Sequence, residues 1–199
     1  MMLKVRWFVW LGCFGALACL LILPFYYRKA SPQSLVEIGM NEIAKTNGLI
    51  WKAGDVNPFS GFLMDRFPDG KVLSRSEVKN GRLDGVSLGY YTNGVLQVKE
   101  HFVAGVSDGV REKWYPDGSL QMRGSIVGGE FHGNFRRWHT NGQLSEVMQM
   151  KRGKADGEAF GFFASGYRKS FTRLKTGEVS DQVIWKDGEL KGSDPVPKK

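Results

Sequence analysis

The residues of this 199-residue chain best suited to chemistry are three histidines, a recurrent aspartate, two cysteines and a small group of cations. His101, His132 and His139 are of the type that ligates zinc or moves protons near neutral pH. His132 and His139 are close in sequence, but no cysteine or carboxylate cluster completes a metal set around them. They are expected to be surface or turn residues, and no metal is expected. Asp84, Asp108 and Asp156 share one position, immediately before a glycine. Paired acids and calcium loops both use aspartate, yet the ligand density of a calcium loop is missing. The expected role is a hydrogen bond from each aspartate to its own turn backbone. Cys13 and Cys19 lie in the hydrophobic N-terminal stretch, so the rest of the chain can build no disulfide or thiolate site. No Gly-x-Ser-x-Gly sits at a strand–helix elbow, and no glycine-rich turn leads into a helix. The chain is therefore expected to be no enzyme and to hold no cofactor. Lys113, Arg136 and Arg137 could grip an anionic lipid headgroup.

These residues are carried on a strict repeat. Gly70, Gly94, Gly118, Gly142 and Gly166 recur every 24 residues, closing turns that read PDG, TNG, PDG, TNG and ASG. Gly81, Gly105, Gly129, Gly153 and Gly177 keep the same spacing, as do Gly61, Gly85, Gly109, Gly133 and Gly157. A period of this length marks a repeat array. In residues 85–108 a strand runs to Tyr90 and Tyr91, Thr92-Asn93-Gly94 turns the chain, and Val95 to Val103 returns. Asn-Gly supplies positive φ at low cost. Each repeat is thus a β-hairpin plus a turn, and successive repeats form a meander.

Columns through the repeats predict the buried positions. Four before the turn glycine stand Arg66, Tyr90, Trp114, Trp138 and Phe162, and next come Phe67, Tyr91, Tyr115, His139 and Phe163. Two after it stand Val72, Leu96, Leu120, Leu144 and Arg168; eight after it, Val78, Phe102, Ile126, Met150 and Leu174. Neighbouring strands place these side by side as apolar ladders. Arg66 and Arg168 fall in the first and last repeats, where capping units need polarity. Tyr90, Tyr91, Trp114, Tyr115, Trp138 and Phe162 form the candidate partner-binding ladder. Stacking of nucleic acid on Trp114, Trp138 and Phe162 is less favoured than packing, and no nucleic-acid partner is expected. After Gly177 the register weakens, and Trp185-Lys186-Asp187-Gly188 reads as a decayed final hairpin.

Trp7 to Tyr27 carries no charge. As a helix it would span about 31 Å at ~1.5 Å per residue, close to a ~30 Å hydrocarbon layer. Trp7 and Trp10 at one end and Tyr26 and Tyr27 at the other match aromatic belts. An uncleaved anchor is favoured over a lipoprotein at Ala16-Leu17-Ala18-Cys19 and over a cleaved signal. The basic flanks tip the expected orientation toward an inside N-terminus, with the array on the outer face of the membrane. Lys4, Arg6, Arg28 and Lys29 are part of a net charge of +8, and no acidic residue precedes Glu37, so the remainder carries only +4. Ser31-Pro32 followed by Leu35, Val36, Ile38, Ile43 and Ala44 predicts a short helix over 34–46, stopped by Asn47-Gly48.

The repeats resemble the MORN family (membrane occupation and recognition nexus), and most closely the bacterial MORN-variant repeats catalogued as antitoxin components. The resemblance rests on Trp114-Tyr115-Pro116-Asp117-Gly118-Ser119-Leu120, on Asn80-Gly81-Arg82-Leu83-Asp84-Gly85, and on the lead-in Asn47-Gly48-Leu49-Ile50-Trp51-Lys52 with Pro58-Phe59-Ser60-Gly61. It covers about residues 47–190 and departs from the pattern at His132, at Ala164-Ser165-Gly166 and at Arg168. It implies a non-catalytic hairpin array used for protein contacts or membrane association.

The expected organisation is an anchor over 1–29, a juxtamembrane segment over 30–48, an array over 49–190 and a tail over 191–199. The expected fold is an all-β, elongated, single-layer antiparallel hairpin meander of about five repeats, preceded by one transmembrane helix and a short helix. The expected partner is a protein or peptide, with membrane contact through residues 7–27. A terminal strand would also be open to pairing with another copy.

Overall fold

The computed structural model describes residues 36–190. They form fifteen strands: β1 (Glu37–Gly39), β2 (Ile43–Thr46), β3 (Leu49–Lys52), β4 (Gly61–Arg66), β5 (Val72–Lys79), β6 (Arg82–Tyr90), β7 (Leu96–Val103), β8 (Val106–Ser107), β9 (Gly109–Trp114), β10 (Leu120–Val127), β11 (Glu130–Trp138), β12 (Leu144–Lys151), β13 (Lys154–Phe162), β14 (Arg168–Lys175) and β15 (Glu178–Ile184). From β4 onward each long strand pairs antiparallel with the next, in one 13-stranded sheet whose first member, β1, is parallel to β4. β2 and β3 make a separate hairpin.

Two kinds of turn alternate along the sheet. At the PDG-type turns a single residue, the glycine, has positive φ, as at Gly94 (+83°). Its N–H donates to the carbonyl three residues back (Gly94 to Tyr91, 2.9 Å), and the ladder closes with Tyr91 N–H to Val95 O at 2.9 Å. Of the Asn93-Gly94 pair it is Gly94 that supplies the positive φ; Asn93 is not among the positive-φ residues. The other glycine set makes the tight two-residue turns. Asn80-Gly81, Ala104-Gly105, Gly128-Gly129, Arg152-Gly153 and Thr176-Gly177 are left-handed at both positions. That is the geometry whose twist suits a two-residue hairpin.

The lead-in departs from the sequence reading. The short helix expected over 34–46 is instead β1, a single 3-10 turn at Met40–Glu42, and β2. Val36 and Glu37–Gly39 dock in extended form on β4, with Phe62 N–H donating to Val36 O at 2.8 Å. β-branched Val36, Ile38 and Ile43 suit that conformation better than a helix. The docking buries Ile38 to 2% exposure. Ile38, Ile50, Phe59, Leu63 and Val78 form the apolar cluster that caps the first hairpin, with Ile43 and Leu83 packed against it. Each such burial contributes roughly 1.5–3 kcal/mol.

The helix expected over 7–27 lies outside the described residues, as does the 191–199 tail. Among the described residues no helix is long and apolar enough to cross a membrane. This corrects the single-pass, outer-face placement and the helix-plus-array architecture: the fold described is an all-β sheet. The decayed hairpin near 185–188 is the turn after a genuine strand, β15, which pairs along β14. Leu190 O then accepts from Arg168 N–H at 2.8 Å.

Gly81 and Gly94 separate the two demands made on a turn glycine. At Gly94 an added Cβ meets nothing within 4 Å, while at Gly81 it would stand 3.0 Å from Ile50 O, Leu49 and Pro58. Gly94→Ala is expected to cost about 1 kcal/mol from the left-handed backbone alone, and Gly81→Ala about 3 kcal/mol because overpacking is added. Urea unfolding of both variants checks this; equal losses would contradict it.

Candidate functional site

Tyr90, Trp114, Trp138 and Phe162 end β6, β9, β11 and β13, and face Leu96, Leu120, Leu144 and Arg168 across the turn. Phe162 is buried and the other three are half-buried. Alternation along each strand sets them on the same face as Leu88, Glu112, Arg136 and Phe160. The column Phe102, Ile126, Met150 and Leu174 lies on the opposite face, since it alternates with Lys99, Arg123, Val147 and Phe171, which pair with that first set. The expected ladders therefore divide between two faces.

The neighbouring column has a different task. Tyr91 OH donates to Trp114 O, and Tyr115 OH to Trp138 O, each at 2.9 Å. His139 Nε2 bonds Phe162 O at 2.9 Å, and because a carbonyl only accepts, that nitrogen carries the proton. These side chains staple one repeat to the next, so the polar ends of Tyr91 and Tyr115 are engaged within the array. His101 Nδ1 bonds Asp108 O at 2.9 Å, while His132 is exposed in the aspartate column. Among the described residues no three His, Cys, Asp or Glu side chains converge as a metal set. Gly85–Gly89 does spell Gly-x-Ser-x-Gly, but it lies inside β6, with the Ser87 and Ser76 hydroxyls bonded at 2.7 Å.

The aspartates also reach forward. Asp84 Oδ2 accepts from Ala104 N–H (3.1 Å), Asp108 from Gly128 N–H (3.1 Å) and Asp156 from Thr176 N–H (3.4 Å). Each holds the tight turn of the next repeat; the expected bond to its own turn is corrected. Beside them, Gly105 N–H donates to Leu83 O at 2.7 Å, and the same bond recurs at Gly81, Gly129, Gly153 and Gly177.

Lys113, Arg136 and Arg137 do not converge. Lys113 and Arg137 flank Met122 on one face, and Arg137 pairs with Glu146 at 3.5 Å. Arg136, next along β11, takes the other face, between Arg123 and Val147. What the sequence reading missed is the cross-strand row on the aromatic face: Arg75, Leu88, Lys99, Glu112, Arg123, Arg136, Val147, Phe160 and Phe171. It passes from cationic to apolar along the array. Arg75 lies 3.4 Å over the Phe62 ring, and Arg168 and Arg173 each lie 5.5 Å over Phe160 and Phe171. Following the columns five after and six before the turn glycine would have revealed it.

A family model described as "MORN repeat variant" matches residues 83–104 and 131–152, the hairpins β6–β7 and β11–β12. This is a MORN-repeat protein. Such repeats are generally protein- or membrane-binding modules. No curated protein matches the chain. The unmatched hairpins of the MORN array, β4–β5, β9–β10 and β13–β14, have the same turns and junction bonds as the matched ones.

Two exposed turn aspartates are tuned by local bonds. The Ser119 hydroxyl (2.6 Å) and then its backbone N–H (2.8 Å) hold the Asp117 carboxyl below its ordinary 3.8. The Lys71 side chain and then its backbone N–H do the same for Asp69. A depressed folded value means support that is present above 3.8 and lost as pH falls through that folded value. The stability difference between the protein and Asp117→Ala should shrink on acidification through that window, measured by urea unfolding at a series of pH values. Tyr115→Phe should lower stability by about 1 kcal/mol through loss of the hydrogen bond to Trp138 O. A thermal midpoint indistinguishable from that of the parent would contradict the staple.

Proposed function

We propose that the MORN array is a non-catalytic scaffold that binds a protein or peptide on the face bearing Tyr90, Trp114, Trp138 and Phe162. The observation that carries this is one register of aromatic side chains held through four successive repeats, beside a row that runs from cationic to apolar. Aromatic and arginine side chains are what protein interfaces favour. The histidines and aspartates that could have served chemistry are largely engaged with backbone groups of the array. An anionic-lipid reading is less favoured, because Lys113 and Arg137 are separated from Arg136 by the sheet itself.

The sharper form of the proposal takes the partner to be a toxin, which would make the chain an antitoxin or immunity component. Its test is growth rescue when the chain is co-expressed with the product of a neighbouring gene; no rescue would remove that form alone. For the scaffold itself, the full chain serves as bait and the captured partner is then titrated in purified form. Arg123, with 60% of its side chain exposed, pairs with Glu112 at 3.5 Å, and reversing so exposed a charge costs the fold only about 1 kcal/mol. Arg123→Glu should weaken binding about tenfold, and Trp138→Ala should do so by more. Full affinity in both variants, with unchanged circular dichroism, would sink the reading.

A further inference from the structure

The two edges of the sheet are finished differently. At the β4 edge, β1 pairs over Glu37–Gly39 and the core cluster around Ile38 covers the first hairpin. At the other edge β15 pairs, among the described residues, with β14 alone, and all seven of its residues are exposed, with Val179 and Ile184 at 58% and 68%. Trp185 N–H donates to Lys169 O at 3.0 Å. Alternation then turns the main-chain groups of Ile184 and Gln182 away from β14, because residues of an antiparallel strand bond to opposite sides in turn.

The side chains on this edge specify what it would accept. On the aromatic face Glu158, Arg173 and Asp181 stand in one cross-strand row, with Arg173 and Glu158 3.8 Å apart. Lys175 and Glu178 form a second row, and Phe160, Phe171 and Val183 a third, with the two rings 5.2 Å apart. Two rows of alternating charge end in exposed carboxylates and one apolar row ends in a valine. Opposite charges directly across neighbouring strands stabilise and like charges destabilise. The next strand therefore takes an apolar residue opposite Val183 and cations opposite Asp181 and Glu178. A second copy pairing along this edge would set its own carboxylates near these, so self-pairing is the disfavoured occupant.

We propose that β15 is a second binding edge, which adds an extended basic peptide as an antiparallel strand and reads it through Val183, Asp181 and Glu178. This deepens the binding-scaffold reading and rests on it, but it places the contact at the end of the sheet rather than on the aromatic face.

The test uses the full chain and a fluorescent peptide of sequence Thr-Val-Thr-Lys-Thr-Lys-Thr, followed by anisotropy. Binding should be lost when both lysines are replaced by glutamate. Gln182→Pro removes an outward N–H and keeps the main-chain ladder to β14, since proline is tolerated where the N–H faces solvent; Gln182→Ala, which likewise loses the Gln182 Nε2 bond to Thr172 Oγ1 (3.3 Å), is its control. The proline should lower affinity roughly tenfold, as loss of one or two main-chain hydrogen bonds does. The pair Glu178→Lys and Asp181→Lys should reverse the preference toward the glutamate peptide. No binding of the lysine peptide, or equal binding by Gln182→Pro, overturns the proposal. So does concentration-dependent dimerisation of the peptide-free protein that the proline abolishes. Peptide binding removed by Trp138→Ala and retained by Gln182→Pro would overturn the edge assignment while upholding the aromatic-face reading. Edge binding that Trp138→Ala leaves unchanged supports the edge assignment, and the aromatic-face reading then stands or falls on the titration of its own partner.

Discussion

The array depends on one bond made five times: the N–H of the second residue in each tight turn donates to a carbonyl 22 residues earlier, at 2.7 to 3.0 Å. A sheet ladder joins strands along their length but leaves the hairpin ends free to splay. This bond closes that end and ties each repeat to its predecessor. It requires a left-handed backbone at the turn, so glycine is chosen for the direction in which it aims its N–H as well as for the tightness of the bend. The aspartate column and the Tyr91, Tyr115 and His139 staples add the same kind of junction at the two ends of the hairpins. Stability in such an array is a sum over units and their nearest-neighbour junctions, and here the junctions are largely polar and directional.

The period and the hairpins were legible because glycine positions report backbone geometry directly. Which turn used which geometry was not. Asn93-Gly94 looks like the two-residue hairpin dipeptide, yet Ala104-Gly105 and Arg152-Gly153 adopt that conformation. Ala104 and Arg152 are poor turn formers on local grounds, and the junction bond imposes the conformation on them. The aspartates misled in the same way: a local bond was expected, and a bond 20 residues ahead was found. The helix expected over 34–46 fails for a related reason. Its apolar spacing fits a helix, but Gly61 to Arg66 offers an open edge, and pairing there buries Ile38. Contacts distant in sequence overrode local pattern in each case.

The aromatic column was legible as a ladder, but its neighbours were not. Even spacing along one strand would keep Leu96 and Phe102 on one face, but a bulge between Leu96 and Val98 shifts the alternation, and the same shift recurs in the later repeats. Cross-strand pairs settle this. They place Phe102, Ile126 and Met150 away from Trp114 and Trp138, and they bring Arg75, Lys99, Arg123 and Arg136 into one row on the same face as those tryptophans. The row is invisible in any single repeat, because its members come alternately from the outgoing and returning strands.

The ends of the array follow from the same accounting of junctions. Interior hairpins have a neighbour on both sides. The first hairpin lacks one, and β1 with Ile38, Ile50 and Phe59 replaces it by a parallel strand and a small apolar core. The last is strengthened from within: Arg168 stacks on Phe160 and its N–H is held by Leu190 O. β15 receives neither kind of support among the described residues, and its exposed carboxylates stand where every earlier strand meets a partner. Opening there disrupts one junction rather than two, so the array should fray from this end first. A strand added along β15 would supply the missing junction by the pairing rule that builds the rest of the sheet. Binding at the edge and order at that end of the array are then one equilibrium, and each should strengthen the other by the same free energy.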